Sequence, residues 1–385
     1  MWMDLARYAD TKGYEKDLGR TMWPYRDWLV NSINADMPLD QMTLEQLAGD
    51  LLPNPTHDQL TATAFHRNTM SNDEGGTDDE EFRTVAVKDR VDTTMQVWMG
   101  LTAGCAKCHT HKYDPISQAE YYRLYSILNQ TQDADRPDDS PTQEIMSPAI
   151  EESRNRLAAK SADLNSQLAI ATTVNLPEAA PEQRRLIDEI AATNKELVSV
   201  NSNIPRVPVM RALDADKLRT TNIHRRGNIL DPGEEVAAGF PAAFHKLPDS
   251  TPMNRLALAQ WLMSAENTLT PRVWANRIWA RLFGIGIVET EEDFGSLGAL
   301  PTHPELLDWL AAEYRDNGWS LKKLVKTILM SHTYRQSSAV TAELRAIDPR
   351  NEYFSRGARF RLSAETVRDE SLAVFGLLTE KMGGP

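Results

Sequence analysis

The chain has 385 residues, of which 41% are hydrophobic and 25% are charged, as in an ordinary globular protein. Its formal net charge of −13 argues against non-specific binding to nucleic acid or to anionic lipid. No segment approaches the ~18 consecutive apolar residues that a membrane-spanning helix needs. We therefore expect no nucleic-acid partner and no membrane span in this chain.

The first part of the chain has the apolar spacing and end signals of helices. Residues 79–103 predict a long helix that stops at Gly104, since glycine commonly ends helices. Thr43 and Gln46 have the spacing of a capping box and predict the start of another helix. These signals favour a helical domain at residues 1–140.

The next segment is polar and predicts a linker followed by a helical hairpin. Residues 133–141 are acidic and rich in proline, which is typical of a linker. Two alanine-rich runs with narrow leucine stripes follow, at about 148–172 and 181–201. We expect an antiparallel helical hairpin or spacer at 141–205.

The last part of the chain predicts a short β segment and then a second helical domain. Residues 206–250 contain short β-branched runs and turn signals, so we expect a small β element there. Within it, His224–Gly227 is interpreted either as a basic binding spot or as a turn at a strand end. Helical signals return over 251–385. The predicted fold class is mainly α, with two helical domains, a small β element and an inserted antiparallel helical hairpin.

The two cysteines form the most specific motif in the sequence. Cys105 and Cys108 are separated by two residues, and His109 follows directly. Two thiols at this spacing can each add to one vinyl group of a porphyrin, and the adjacent histidine can then ligate the iron. The motif predicts covalent haem c bound at Cys105, Cys108 and His109, with His109 on the iron.

Three other interpretations of the motif remain open. The cysteines can form a redox-active pair, although such pairs favour a thioredoxin-like setting. They can bind zinc together with His109 and His111, although no second C-x-x-C is present. They can also form a plain disulfide, which does not need the histidine.

The second axial ligand of the iron is less clear from the sequence. Met70 and His66 are the leading candidates, and they share one helix face if that segment is helical. Met95 and Met99 are further options. His111 is too near the attachment site to reach the opposite face of the iron.

An acidic cluster precedes the long predicted helix. Asp73, Glu74 and Asp78 form a candidate cation site, with Ca²⁺ as the expected ion, because hard cations prefer carboxylate oxygens. The alternative that we favour is a helix start, because acidic residues in a first turn stabilise the helix dipole. A catalytic acid is the third possibility. The six carboxylates of the cluster are Asp73, Glu74, Asp78, Asp79, Glu80 and Glu81.

An ordered series of further motifs resembles the planctomycete-type cytochrome c domain proteins, whose paired domains are of largely unknown function. The series covers nearly the whole chain apart from the hairpin. In the first part it comprises Leu5–Tyr14, Trp23–Trp28, Gln46–Pro53, Phe65–Thr69, Asn72–Gly76 and Cys105–Ile116. In the second part it comprises Arg255–Ala259, Asn276–Trp279, Leu282–Gly284, Asp293–Gly295, His303–Leu310, Ser331–Ser337 and Phe360–Leu362.

The resemblance implies a secreted or periplasmic protein with an unknown redox partner. Members of the family typically begin with a signal peptide, which this sequence lacks, so we expect an internal fragment of a longer protein. The predicted function is electron transfer or haem redox chemistry outside the cytoplasm. The alternative is a secreted binding protein or a non-haem hydrolase, possibly associated with carbohydrate, in which the cysteines form a disulfide or a metal clip. The sequence does not decide whether the protein is an enzyme.

Overall fold

The computed structural model describes residues 1–173 and 180–384 and is mostly helical, which confirms the predicted mainly α fold class. The chain divides into two compact units. The main unit comprises Met1–Pro141 together with the chain from Pro208 onward, and the hairpin unit comprises Thr142–Val207. Within the described residues, no helix is long and apolar enough to cross a membrane.

The main unit begins with six α-helices, two of which are followed by short 3₁₀ turns. Their bounds are α1 Trp2–Leu5, α2 Trp23–Asn34, α3 Leu39–Ala48, α4 His57–Ala62, α5 Asp79–Thr94 and α6 Gln118–Leu128.

The hairpin unit has the two long helices that the sequence predicts. Strand β1 is Thr142–Glu144, helix α7 is Pro148–Thr173, helix α8 is Ala180–Ser202 and strand β2 is Arg206–Pro208. Leu157, Leu164 and Leu186 are buried, as a narrow apolar stripe between two helices requires. The connection between α7 and α8 lies outside the described residues.

The rest of the main unit contains a small β hairpin and then helices. The antiparallel strands are β3 Asn222–His224 and β4 Pro232–Glu235. The helices are α9 Arg255–Leu262, α10 Leu269–Phe283, α11 Pro304–Asp316, α12 Leu321–Met330, α13 His332–Arg335, α14 Ala342–Ile347 and α15 Ala364–Val374.

Thr43 has a different role from the predicted helix cap. Helix α3 begins at Leu39, so Thr43 lies inside the helix, and its hydroxyl donates to the Leu39 carbonyl oxygen at 2.7 Å. The same hydroxyl accepts a hydrogen bond of 2.9 Å from the indole of Trp98. A buried indole N–H needs such a partner, and the polar residue is therefore explained by the core rather than by a helix end.

The long helix ends earlier than predicted. Helix α5 stops at Thr94, a π turn follows at Met95–Met99, and Gly100 adopts φ +61°. A side chain at Gly100 would meet the Val273 and Phe294 side chains, and the Gly100 carbonyl oxygen accepts from the Phe294 amide at 2.7 Å. The break at Gly100 rather than Gly104 is therefore set by packing against the later part of the chain.

The two predicted helical domains pack into one compact unit. Arg255 at the start of α9 forms a buried ion pair with Asp50, with Nη2 at 2.6 Å from the carboxylate, and it also donates to the Leu47 carbonyl. Arg277 on α10 is buried and donates to the carbonyl oxygens of Val97 and Gln96. Since these arginines satisfy groups of the first part of the chain, the two parts complete one core.

The buried pair between Arg255 and Asp50 gives a prediction for stability. We expect Arg255→Met to lower the free energy of unfolding by about 3 kcal/mol or more, because Asp50 is left as a buried charge without its cation. The two side chains are only 2% and 4% exposed, so water cannot replace the arginine. Urea unfolding followed by tryptophan fluorescence measures the change.

Arg368→Met is the matched control. Arg368 and its partner Asp369 are largely exposed, and such pairs contribute about 1 kcal/mol or less. Equal destabilisation by the two substitutions would contradict the assigned role of Arg255.

Candidate functional site

The attachment motif lies at the surface of the main unit on a short turn. A 3₁₀ turn spans Ala103–Lys107, and Ala103 and Ala106 anchor it in the core. Cys105 and Cys108 are both exposed and neither forms a disulfide. The two predicted attachment thiols are therefore accessible on the same turn.

His109 is also exposed, and its imidazole has a defined hydrogen bond. Its Nδ1 lies 2.7 Å from the Thr110 carbonyl oxygen. A carbonyl oxygen only accepts, so Nδ1 must donate, and the lone pair of the neutral ring is then on Nε2. Many metal-binding histidines are oriented in this way, with one ring nitrogen donating to a carbonyl and the other on the metal.

His111 is held differently from His109. Its Nδ1 accepts a hydrogen bond of 2.8 Å from the Asp114 amide, which fixes the loop that follows the cysteines. Asp114 is buried and its carboxylate accepts from the Ser296 amide at 2.7 Å. A Cβ added to Gly295 would lie within 2.6 Å of both Asp114 oxygens, so glycine is needed for this approach. The Asp293–Gly295 motif thus supports the loop of the attachment motif.

The β hairpin places a second turn beside the cysteines, which the sequence did not predict. A Cβ added to Gly227 would lie 2.9 Å from Cys108 Sγ, and Gly227 has φ +75°. Its carbonyl oxygen accepts from Lys88 Nζ at 2.8 Å. The Gln118 amide donates to the carbonyl oxygens of Lys107 and His224, joining the two turns. Within His224–Gly227 the structure thus has the turn at a strand end that was one of the two sequence interpretations.

Burial and positive charge act on His224 in this turn. Its ring lies against Tyr122 and Tyr125, with centroids 5.0 and 5.7 Å away. Burial, followed by the nearby cations Lys88 and Arg83, lowers the pKa of His224 to about 4. The histidine beside the cysteine turn is therefore neutral at ordinary pH.

The two leading candidates for a second axial ligand differ in accessibility. His66 is fully buried beside Phe65, and burial lowers its pKa well below the ordinary value. Its Nε2 lies 3.4 Å from the Thr94 hydroxyl, and its Nδ1 has no hydrogen-bond partner. Met70, in contrast, is 52% exposed. Of these two candidates, Met70 is therefore the more accessible to a ligand.

The candidate cation site is not assembled. Asp73 forms a buried ion pair of 2.9 Å with Lys12, and Asp78 caps α5 by accepting from the Glu80 amide. Asp79, Glu80 and Glu81 lie in the first turn of that helix, as the helix-start interpretation predicts. Among the residues that the structure describes, no group of three or more histidine, cysteine or acidic side chains is placed to hold a metal ion.

A cavity of about 550 Å³ lies in the main unit near the attachment turn. Its wall comes from three of the motif segments, Leu5–Tyr14, Phe65–Thr69 and Cys105–Ile116, and from one face of α5. Met70 and Lys107 also line it. Cys105, Cys108 and His109 do not, so the cavity and the thiols are separate features joined through Lys107.

The residues needed to attach a c-type haem fit that group. Both thiols are free and accessible, and within the described residues His109 forms its hydrogen bond through Nδ1, which leaves Nε2 open. In the described part of the chain, however, the three exposed side chains are not enclosed by a haem-sized apolar pocket. The structure therefore shows two accessible thiols next to a histidine, without an enclosed haem site around them in the described residues.

Two family models match the chain, one in each part of the main unit. Residues 1–133 match a family described as PSCyt2, protein of unknown function (DUF1549). Residues 254–385 match a family described as PSD1, protein of unknown function (DUF1553). Both are cytochrome c-associated planctomycete domain families, consistent with the predicted resemblance. No curated protein and no solved structure matches the chain.

The pKa of His224 provides a test of this geometry. We expect NMR titration to give a value near 4, well below the ordinary 6.5. Lys88→Met should raise it, because the substitution removes a positive charge beside the ring. As the folded-state pKa is lowered, His224 stabilises the fold fully above pH 6.5 and this contribution is lost as the pH falls toward 4.

Lys217→Met is the control for this titration. Lys217 is exposed and paired with Asp214, and it does not act on His224. The same shift in both variants, or a His224 pKa of 6.5 in the unmodified chain, would contradict the burial of this ring.

Proposed function

We propose that this chain is part of an extracytoplasmic c-type haem protein. Cys105 and Cys108 are the attachment residues and His109 is an axial ligand of the iron. The observation that carries the proposal is the exposed turn, where two free thiols and an imidazole with an open Nε2 follow one another. The names of the two matched families agree with it.

The chain's own part in attachment is to present two thiols in a fixed order. Each S–H would add across one vinyl group, with a new C–S bond at one carbon and a new C–H bond at the other, so that no oxidant is needed. The buried Ala103 and Ala106 hold the turn, while the absence of a side chain at Gly227 leaves room beside Cys108. Because the turn is held in place and Cys108 is not crowded, both thiols can reach the same haem.

His109 is the proposed first ligand of the iron, and Met70 is the preferred candidate for the second. The hydrogen bond from His109 Nδ1 to the Thr110 carbonyl holds the tautomer whose Nε2 can ligate iron. Met70 is the preferred candidate for the second ligand because its thioether is accessible, whereas His66 is enclosed by the core.

Once bound, haem supplies one-electron redox chemistry. A haem at the surface suits electron exchange with a redox partner, because the partner can approach it without a conformational change in the main unit. The location outside the cytoplasm follows from where haem attachment normally takes place.

The absorption spectrum of periplasmically expressed protein tests the proposal. The full chain is produced together with the cytochrome c maturation machinery and then extracted with acidic acetone. We expect Soret and α-bands that survive extraction, because thioether bonds retain the haem. Cys105→Ala/Cys108→Ala should lose these bands completely.

A histidine pair gives the matched control for the iron ligand. His109→Ala should keep the covalent haem but shift its Soret band, because one axial ligand is removed. His111→Asn should leave the band in place, since the Asn oxygen can still accept from the Asp114 amide. A folded but colourless chain would overturn the proposal, and equal spectral shifts in the two variants would overturn the role of His109.

A further inference from the structure

The cavity beside the attachment turn is strongly cationic although the protein as a whole is acidic. Five cationic side chains line it, against two carboxylates, in a chain with a net charge of −13. A concave cationic site within an acidic protein concentrates the local field on small anions. The five cations are Arg7, Lys12, Arg20, Lys88 and Lys107, and the carboxylates are Asp89 and Asp92.

Some of these cations are already neutralised by protein groups. Lys12 is paired with Asp73 and donates to the Pro137 carbonyl, and Lys107 Nζ lies 2.5 Å from Asp92. These two lysines therefore contribute more to the structure than to binding. Anion binding in the cavity therefore depends on the other three cations, Arg7, Arg20 and Lys88.

Arg7, Arg20 and Lys88 are only partly compensated. Arg7 lies 3.1 Å from Asp89, yet neither of its terminal nitrogens forms a hydrogen bond within the described residues. Arg20 donates through Nη1 to the carbonyl oxygens of Arg67 and Thr69, whereas its Nε has no partner in that part of the chain. Lys88 donates to the Gly227 carbonyl oxygen, a neutral acceptor. Buried donors without partners are rare and call for an ion or a polar group that completes them.

Electrostatics points the same way as the hydrogen bonding. Burial lowers the pKa of Arg7, Arg20 and Lys88, and neighbouring cations add to the effect. A bound anion would stabilise the charged forms of all three side chains and so counteract both burial and the repulsion between cations.

The rest of the wall is apolar enough to hold the body of an organic ion. Tyr14, Met70, Val85 and Ala86 line the cavity between the cations. A volume of about 550 Å³ lies within the usual range for small-molecule sites. Inorganic ions would leave this apolar wall unfilled.

We propose that this cavity binds a small carboxylate with an apolar body, recognised through Arg7, Arg20 and Lys88. Guanidinium groups match the planar geometry of a carboxylate. The site goes beyond the haem proposal, since none of its residues is a predicted haem ligand except Met70. The carboxylate belongs either to a free molecule or to a propionate of the protein's own haem, and both share the same chemistry.

Calorimetric titration of the full chain with benzoate and benzamide tests the site. The two probes have nearly the same shape and differ in charge. We expect benzoate to bind at least about tenfold more tightly than benzamide, as a charge-assisted contact implies. Arg7→Gln and Lys88→Gln should each weaken benzoate binding by about tenfold, while Arg368→Gln, an exposed site elsewhere, should not change it.

The remaining outcomes each decide the proposal. Equal binding of the two probes, no heat from benzoate at high millimolar concentration, or normal benzoate binding in both cavity variants would overturn it. Tight binding of inorganic phosphate without binding of benzoate would also overturn it. If Arg7→Gln does not fold, judged by circular dichroism, Lys88→Gln alone decides.

Two further samples distinguish the sources of the carboxylate and separate this proposal from the haem proposal. The Cys105→Ala/Cys108→Ala chain should bind benzoate, because the cavity does not depend on attachment. If haem-loaded protein loses benzoate binding, the carboxylate is a haem propionate; if it keeps binding, the ligand is a free molecule. If the unsubstituted chain, expressed with the maturation machinery, is colourless but binds benzoate, the haem proposal alone is rejected.

Discussion

The main unit depends on buried arginines that reach from the second part of the chain into the first. Arg255 neutralises Asp50, and Arg277 satisfies backbone carbonyl oxygens at the π turn after α5. The cost of burying such cations is large unless every partner is in place. The segments that match the two families therefore form one shared core. Contacts from both segments fix the position of the turn that holds the cysteines.

This dependence explains how the site is supported. The loop after the cysteines is fixed by Asp114, whose carboxylate is held by the amide of Ser296 in the second part of the chain. On the other side, the turn at Gly227 lies against Cys108 and is linked to α5 through Lys88. Three distant segments thus meet at one short turn, and Lys88 of α5, which contacts the Gly227 turn, also lines the cationic cavity.

Much of the fold followed from the sequence because the signals were local. The hairpin helices at 148–172 and 181–201 agree with α7 and α8 because a regular leucine stripe marks them. The errors arose where tertiary contacts override a local pattern. Thr43 has the spacing of a helix cap, but its hydroxyl accepts a hydrogen bond from Trp98. The helix breaks at Gly100 rather than at Gly104, because Phe294 packs against Gly100. Such partners are far away in sequence and leave no local mark.

For the cysteine site, the sequence predicted the residues of the motif but not their surroundings. The spacing of Cys105, Cys108 and His109 reveals their shared turn, whereas the approach of Gly227 and the cations of the cavity required the three-dimensional structure. For the acidic cluster the favoured interpretation was a helix start, and in the structure Asp78 caps α5 and three further carboxylates lie in its first turn. Asp73, a member of the alternative cation site, is paired with Lys12 instead.

The position of Gly227 also bears on the order of events during synthesis. The cysteine turn leaves the ribosome long before β3 and the turn beside Cys108 are made. Until then nothing from that later segment lies beside the sulfur, whereas in the folded chain even a Cβ at Gly227 would lie only 2.9 Å from Cys108 Sγ. A bulky group therefore has its widest access to Cys108 before the chain folds and the turn at Gly227 packs beside the sulfur.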